Sequence, residues 1–235
     1  MQTIGILGGM APESTIEYYR EIIRSSHEKG WEKRYPQTII YSLNFEEFFE
    51  PLSEGADDRV LEVLSAGIES LDAAGADFAL LASNTPHKYF EPLAKDAPIP
   101  LRSIVDATAR AGVEEGYEDV GLLGTLHTTN GSFYPSGFDE YGLTVHTPSQ
   151  SDKEWMHEKI FAELTNGVHT EETKAGLIEI VETMVEDADI DAVALACTEL
   201  PLVLDSSDLP VPILNTTALH ARDAFEAAVE SESPI

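Results

Sequence analysis

Short apolar runs alternate with stretches of helical spacing along the whole chain. The runs predict eight strands, at Thr3–Leu7, Thr38–Leu43, Phe78–Ala82, Ile99–Arg102, Asp119–Leu123, Leu143–His146, Ala192–Ala196 and Val211–Leu214. Two apolar stripes recur with the period of a helix: Val60, Leu61, Leu64, Ile68 and Leu71, and later Leu177, Ile180, Val181, Met184 and Val185. Thr170, followed by two glutamates, predicts the start of the second of these helices. Strands that alternate with helices predict parallel β-α-β units, and therefore an α/β fold.

The two halves of the chain repeat each other. Three pairs of landmarks occur in the same order at offsets of 116, 114 and 112 positions: Gly5 and Gly121, Ser83 and Cys197, and Pro98 and Pro210. This near-constant offset predicts an internal duplication with two four-stranded, mainly parallel lobes. We expect the first lobe to comprise residues 1–104 plus 209–235, and the second residues 105–208. The terminal segment Ser231–Ile235 is expected to be loose.

Composition limits the class of protein. At 235 residues with 43% hydrophobic side chains, the chain can build a sizeable core, and none of its apolar runs approaches the roughly 18 residues of a membrane span. It begins with a strand signal rather than a basic leader, and its single cysteine excludes an internal disulfide. These features lead us to expect a cytoplasmic protein.

The net charge is −29, from 43 acidic and 14 basic residues. Nucleic acids and anionic membranes attract patches of Lys and Arg, which the scattered basic residues do not supply. We therefore expect neither as a partner. The acidic residues fall on predicted helix faces and loops, as in proteins from a high-salt cytoplasm, where salt screens their mutual repulsion.

Two proton-carrying side chains stand at equivalent points of the two halves. Ser83 follows the apolar run that begins at Phe78, and Cys197 follows the run that begins at Ala192. In open α/β sheets the chemistry lies just past the carboxyl ends of such strands. Buried free cysteines are common in cores, so packing alone is the alternative explanation for Cys197.

Small polar residues at the other strand ends predict a binding site. The turn Gly8-Gly9-Met10 is expected to present backbone N–H groups to an anion, and Gly124-Thr125 occupies the matching place in the second half. Neither turn has the spacing of a dinucleotide fingerprint or of a Walker A loop. The expected ligands of the substrate are Met10, Asn84, Thr85, Thr125, Thr198 and Glu199.

The histidines do not suggest a metal site, because no pair of His or Cys residues has the spacing of zinc ligands. His87 comes four residues after Ser83, and is either a polar group beside it or a residue of the following helix. Ser83 also lacks the Gly-x-Ser-x-Gly elbow, which disfavours a Ser-His-Asp hydrolase.

Three motifs together resemble the aspartate/glutamate racemase family. Ile4–Thr15 is similar to the opening motif of the family, Ser83–His87 to its first Cys-Asn-Thr-x-His motif, and Ala196–Glu199 to its second Gly-Cys-Thr-Glu motif. The resemblance covers essentially the whole chain. It implies two Rossmann-like lobes related by a pseudo-twofold axis, an active site in the cleft between them, a homodimer, and no pyridoxal phosphate. In the family, two cysteines act as opposed acid and base groups on the substrate Cα.

The chain departs from the family at the first of these cysteines, where it has Ser83. A subset of the family has Thr at this point and keeps the second cysteine, so the resemblance still implies a racemase. Basic residues that bind the distal carboxylate in some aspartate racemases have no obvious counterpart at Phe45–Phe49 or Leu164–Asn166.

The sequence therefore predicts a cofactor-independent amino-acid racemase in which Cys197 and Ser83 address opposite faces of Cα. Backbone N–H groups after both residues, expected at helix N-termini, would stabilise the thiolate and the enolate-like intermediate. Glu199 is expected to bind the substrate ammonium group or to orient Cys197, and Ser83 to deliver a proton through water or with His87. Two alternatives remain open: a lyase resembling arylmalonate decarboxylase that uses Cys197 alone, and a catalytically silent small-molecule-binding protein.

Overall fold

A computed structural model describes residues 1–230, so the expectation for Ser231–Ile235 lies outside the described residues. The chain divides into two compact units. The first contains Met1–Ile104 and the residues from Thr217 onward, and the second contains Val105–Thr216.

The first half of the chain forms a parallel sheet with helices between its strands. Its elements are β1 (Ile4–Gly8), α1 (Pro12–Glu28), β2 (Thr38–Ser42), α2 (Phe45–Ser53), α3 (Asp57–Ala73), β3 (Phe78–Leu81), a 3₁₀ helix (Thr85–Tyr89), α4 (Phe90–Asp96) and β4 (Leu101–Arg102). The strand order is β2-β1-β3-β4, and every pair is parallel.

The second half repeats this arrangement. Its elements are α5 (Ile104–Glu115), β5 (Asp119–Leu123), α6 (Leu126–Thr129), α7 (Phe133–Asp139), β6 (Thr144–His146), α8 (Gln150–Ala162), a 3₁₀ helix (Leu164–Asn166), α9 (Glu171–Ala188), β7 (Ala192–Leu195), a 3₁₀ helix (Leu200–Leu202), β8 (Ile213–Asn215) and α10 (Thr216–Glu230). The strand order is β6-β5-β7-β8, again wholly parallel. The expected α/β class with two four-stranded sheets is confirmed.

Residues 209–216 lie in the second unit, whereas the sequence placed them in the first lobe. The physical reason is strand pairing. Ile213, Leu214 and Asn215 form β8, which pairs with Val193, Ala194 and Leu195 of β7. The chain therefore returns to the first unit only with α10.

The duplication extends to individual hydrogen bonds. The Asp77 amide donates to the Thr3 carbonyl at 2.9 Å, and the Asp191 amide donates to the Asp119 carbonyl at 2.7 Å. Further along the strands, the Ala79 amide of β3 donates to the Pro100 carbonyl, and the Val193 amide of β7 donates to the Pro212 carbonyl, both at 2.9 Å. Equivalent residues of the two halves thus make equivalent backbone contacts.

Apolar stripes on the helices build the cores, as their spacing predicted. Val60, Leu64, Ile68 and Leu71 of α3 are buried against the first sheet, and Leu177, Ile180, Val181 and Met184 of α9 against the second. The other face of the first sheet is covered by a second cluster that includes Tyr18 and Phe225. The predicted helix start is confirmed, since Thr170 Oγ1 accepts a hydrogen bond from the Thr173 amide at 3.1 Å.

Within the described residues, none of the helices combines the length and the apolar character needed to cross a bilayer.

We expect Leu177→Ala to destabilise the second unit by about 2–5 kcal/mol, because the side chain is fully buried and its loss leaves a cavity. The measurement is the free energy of unfolding in urea. Val168→Ala is the matched control, since Val168 is 46% exposed and should change stability by no more than about 0.5 kcal/mol. Equal effects of the two substitutions would contradict the assigned packing of α9.

Candidate active site

Ser83 and Cys197 occupy the same structural position in their respective units. The amide of Ala82 donates to the Leu7 carbonyl at 2.8 Å, and the amide of Ala196 donates to the Leu123 carbonyl at 2.7 Å. Each bond is the last that its strand makes with the neighbouring central strand, and Ser83 or Cys197 comes next. Both side chains are half-buried at the carboxyl end of a parallel strand.

The Ser83 main chain is held at both of its polar groups. Its amide donates to the Leu81 carbonyl at 2.8 Å, and its carbonyl accepts a hydrogen bond from Nδ1 of His87 at 2.9 Å. Asn84, one of the expected substrate ligands, is buried, while Thr85 is half-buried. A polar, partly accessible strip therefore follows β3.

His87 is a buried residue of the 3₁₀ helix Thr85–Tyr89, and both of its ring nitrogens bond the main chain rather than the Ser83 hydroxyl. Its Nδ1 bonds the Ser83 main-chain carbonyl, and its Nε2 accepts a hydrogen bond from the Ile104 amide at 3.1 Å. Burial, together with the nearby His220 ring, holds the pKa of His87 well below its usual range. The neutral ring already uses both nitrogens, so the expected proton relay through His87 is not supported.

The turn after β1 differs from the expected anion nest. Gly9 adopts a left-handed conformation with φ of 89°, and a side chain there would overlap the Leu43 carbonyl. Its amide donates to Oγ1 of Thr15 at 2.9 Å, a local partner six residues further along the chain. The Met10 side chain, also an expected ligand, is 6% exposed and packs in the hydrophobic cluster of the first unit.

Cys197 is paired with a carboxylate. Its Sγ donates a hydrogen bond to Oε2 of Glu199 at 2.8 Å, and the Thr198 hydroxyl donates to the same oxygen at 3.0 Å. Glu199 is 8% exposed, whereas Cys197 is half-buried, so the carboxylate is the more deeply buried member of the pair. Of the two roles expected for Glu199, orientation of the thiol is the one its contacts match.

The Cys197 thiol is held in its protonated form by a raised pKa. Burial raises the pKa of Cys197 well above its ordinary value, and the adjacent Glu199 charge and hydrogen bond raise it further. The backbone amides of Thr198 and Glu199 act in the opposite direction and lower this pKa. The expected stabilisation of the thiolate by backbone N–H groups is therefore present, but burial and the carboxylate outweigh it.

Neither Ser83 nor Cys197 lies at the start of an α-helix, contrary to the sequence expectation. Ser83 leads into the 3₁₀ helix Thr85–Tyr89, and Cys197 leads into the 3₁₀ helix Leu200–Leu202. Each turn contains a proline near its start, Pro86 and Pro201. Individual amides rather than a long helix dipole therefore supply the local electrostatic effect.

Two threonine hydroxyls in the second unit are buried without a protein partner. Thr125 and Thr128 are 8% and 1% exposed, and within residues 1–230 neither Oγ1 makes a hydrogen bond. A buried hydroxyl that is left unpaired is costly, so such groups often mark a place where a ligand or water binds. Thr125 was an expected ligand, whereas Thr128 was not singled out.

The position of Thr128 carries a signal that points to it. It lies in α6, three residues after Thr125, the extended residue that immediately precedes this helix. His157 of α8 also contributes to this region, because its Nδ1 accepts a hydrogen bond from the Leu126 amide at 3.2 Å and so holds the start of α6. Its position in the sequence did not indicate this role. Burial, followed by the influence of His127, lowers the pKa of His157 and favours this neutral acceptor form.

Among the described residues, no group of three or more His, Cys, Asp or Glu side chains is arranged to hold a metal ion.

The Asp/Glu/Hydantoin racemase family model matches residues 7–224 of the chain. The chain therefore belongs to this family. Among curated proteins, it is 26% identical to the broad specificity amino-acid racemase RacX of Bacillus subtilis, over 98% of this chain and 100% of the relative.

Two solved structures are similar over nearly their whole length. An aspartate racemase homologue from Pyrococcus horikoshii is 36% identical, with a TM-score of 0.87 over 97% of this chain and 99% of the other. A protein described as a putative Asp/Glu racemase from Yersinia pestis is 31% identical, with a TM-score of 0.91 over 97% of this chain and 100% of the other. Two-lobed racemase structures thus share the α/β fold described above.

We expect Glu199→Gln to lower the pH at which the Cys197 thiol ionises, because the substitution removes the negative charge that holds the pKa of Cys197 up. The chain contains one cysteine and eight tyrosines, whose ionised forms also absorb in the ultraviolet, so the thiolate signal is taken as the difference from the same titration of the matching protein that also carries Cys197→Ala. Glu172→Gln, which removes an exposed carboxylate from the same unit, is the control. An unchanged or higher ionisation pH in Glu199→Gln would show that the carboxylate does not act on the thiol.

Proposed function

We propose that this protein is an amino-acid racemase that needs no cofactor, with Cys197 as the principal acid and base and Ser83 as the group on the opposite face of Cα. Family membership and the names of the relatives support the reaction class. The observation that carries the assignment is the Cys197–Glu199 hydrogen bond at the end of β7, with Ser83 at the equivalent end of β3.

In the proposed reaction, Glu199 takes the thiol proton along the existing 2.8 Å hydrogen bond. The resulting thiolate, which accepts from the Thr198 and Glu199 amides, removes the α-proton of the substrate. The Ser83 hydroxyl then delivers a proton to the other face and is reprotonated by water. Cys197 keeps the proton it captured and Glu199 releases to solvent the proton it had taken from the thiol, which balances the proton that Ser83 takes from water and restores the resting thiol–carboxylate pair.

The substrate is proposed to bind through neutral polar groups. The unpaired hydroxyls of Thr125 and Thr128 suit a carboxylate, since each can donate one hydrogen bond. The other expected ligands are Asn84, Thr85 and Thr198, while Met10 would contribute only through its main chain because its side chain is in the core. We propose that these groups bind one substrate molecule, and that two copies of the chain form a homodimer.

The serine at position 83 favours one other reaction. A lyase of the arylmalonate decarboxylase kind requires only the second thiol to protonate an enediolate, and this chain keeps that thiol while lacking the first. A silent binding protein would have the same polar groups and no turnover.

Incubation with L- and D-amino acids in D₂O distinguishes these functions. After dialysis against a chelator and with no pyridoxal phosphate, metal or nucleotide added, a racemase incorporates deuterium at Cα and forms the opposite enantiomer. A decarboxylase acts only on malonates, and a binding protein does neither. Dependence on an added metal or on pyridoxal phosphate would refute the cofactor-independent mechanism.

Cys197→Ala is expected to remove nearly all turnover, with a loss of about 10²–10⁴-fold, because it removes the group that abstracts the α-proton. The rate of racemisation and the circular dichroism spectrum should be measured together, to confirm that the fold survives. Ser207→Ala, in an exposed loop of the same unit, is the control. Retention of more than about a tenth of the wild-type rate in Cys197→Ala would contradict the assignment.

Ser83→Cys is expected to raise kcat for conversion of the D- to the L-enantiomer. Abstraction on the Ser83 face requires an alkoxide or a water relay, and a thiol is a far better base near neutral pH. The wild-type protein should accordingly show a higher kcat from the L-enantiomer, while kcat/KM stays equal in both directions because the enantiomers are equally stable. Initial rates from each enantiomer test this, and equal wild-type kcat values or an unchanged D-to-L rate in the variant would exclude Ser83 as the second group.

A further inference from the structure

His87 connects the Ser83 loop to the end of the first unit. Its side chain is 2% exposed, with Nδ1 at 2.9 Å from the Ser83 carbonyl oxygen and Nε2 at 3.1 Å from the Ile104 amide nitrogen. A carbonyl only accepts and an amide N–H only donates, so the ring must carry its proton on Nδ1 and none on Nε2. The two backbone groups therefore select one neutral tautomer.

A second buried histidine has the opposite tautomer. Nε2 of His220 lies 3.0 Å from the Arg102 carbonyl oxygen and must donate, which leaves Nδ1 to accept from the Tyr18 hydroxyl at 2.8 Å. The rings of His87 and His220 meet edge to face, with centroids 5.5 Å apart. The pair thus binds the main chain at residues 102 and 104, next to the point where it leaves the first unit.

Other contacts immobilise the pair. The Phe90 ring stacks on His87 with an interplanar angle of 11° and a centroid distance of 5.5 Å. The Arg102 guanidinium makes two hydrogen bonds to the Asp223 carboxylate, at 2.5 and 2.8 Å, and so fixes α10, the helix that carries His220. The His87 ring is therefore bonded to the residue stretch that follows β3 and to the start of α5, and it packs against α4 and α10.

The second unit has no histidine at the matching place. Pro201 lies four residues after Cys197, where His87 lies four residues after Ser83. The carbonyl of Cys197 instead accepts a local hydrogen bond from the Leu200 amide at 3.2 Å. The two hydrogen bonds from a histidine ring to the main chain are thus a feature of the unit that carries Ser83.

We propose that His87 is a positioning residue for Ser83: by fixing the Ser83 carbonyl to the Ile104 amide, it sets the direction from which the Ser83 hydroxyl reaches Cα. The proposal rests on the proposed function, in which Ser83 protonates one face of the substrate. Both polar backbone groups of Ser83 are already bonded, so the hydroxyl can move only among its side-chain rotamers. Loss of the His87 contact would free the loop without touching Cys197.

This role predicts a selective defect in the chemistry. A thiolate at Cys197 can remove the α-proton and return a deuteron to the same face, which gives exchange with retention in D₂O. Inversion additionally requires Ser83 to be in place. Misplacement of Ser83 should therefore lower the ratio of inversion to exchange, whereas general destabilisation should lower both rates together.

Three substitutions separate the two hydrogen bonds. His87→Asn retains an amide donor near the position of Nδ1, His87→Gln instead places its amide near the position of Nε2, and His87→Phe removes both polar atoms. We expect the inversion-to-exchange ratio to fall by about tenfold or more in the Gln and Phe variants, and by less in the Asn variant, because small errors in position are costly to catalysis. His27→Phe, at an exposed histidine that bonds Tyr35, is the matched control and should leave the ratio unchanged.

The outcomes distinguish the two proposals. Equal losses of exchange and inversion, or an unchanged ratio in the Gln and Phe variants of an active protein, would overturn the positioning role and leave the racemase assignment intact. Absence of both exchange and inversion in the wild-type protein would overturn the racemase assignment, and the positioning role with it.

A measurement on the wild-type protein covers the case in which the variants fail to fold. Imidazole ¹⁵N chemical shifts should show His87 neutral with its proton on Nδ1 between about pH 6 and pH 8. A charged His87, or one protonated on Nε2, cannot make both backbone hydrogen bonds and would refute the proposal.

Discussion

The hydrogen bond from the Ala196 amide to the Leu123 carbonyl ends the pairing of β7 with β5, and Cys197 is the next residue along the chain. The same bond, from Ala82 to Leu7, precedes Ser83 in the first unit. Buried parallel strands must satisfy their backbone groups up to the last residue, so the chain leaves both sheets at equivalent points. The equivalent locations of Ser83 and Cys197 are thus a consequence of backbone pairing, and the residue type can differ while the position stays the same.

At that position the second unit places a thiol against a carboxylate. Burial and the Glu199 charge raise the pKa of Cys197, so the protonated thiol is the stable resting form. The same carboxylate oxygen accepts from Thr198, and backbone amides point toward the sulfur. In our proposal this arrangement keeps the thiol from reacting until a substrate binds, and it supplies an acceptor for the thiol proton at 2.8 Å.

The two halves share their strand order and backbone hydrogen bonds but differ in the side chains that follow β3 and β7. Their strand order is the same, and so are the backbone bonds that precede the reactive residues. The first unit has a hydroxyl whose main chain is held by a buried, neutral histidine, and the second has a thiol bonded to an acid. A hydroxyl is a poor base near neutral pH, so its usefulness in proton transfer depends more on position than on ionisation.

The sequence by itself determined the α/β class, the two matching sheets, the core stripes of α3 and α9, and the equivalence of Ser83 and Cys197. Each of these depends on local periodicity or on the spacing of repeated peptides, and both can be read along the chain. Tertiary structure decided the partners of other groups: Ile104 for His87, Tyr18 for His220, and β7 for residues 213–215. Such contacts join residues whose separation along the chain follows no period, so they are determined only when helices and strands pack and each buried donor must find an acceptor.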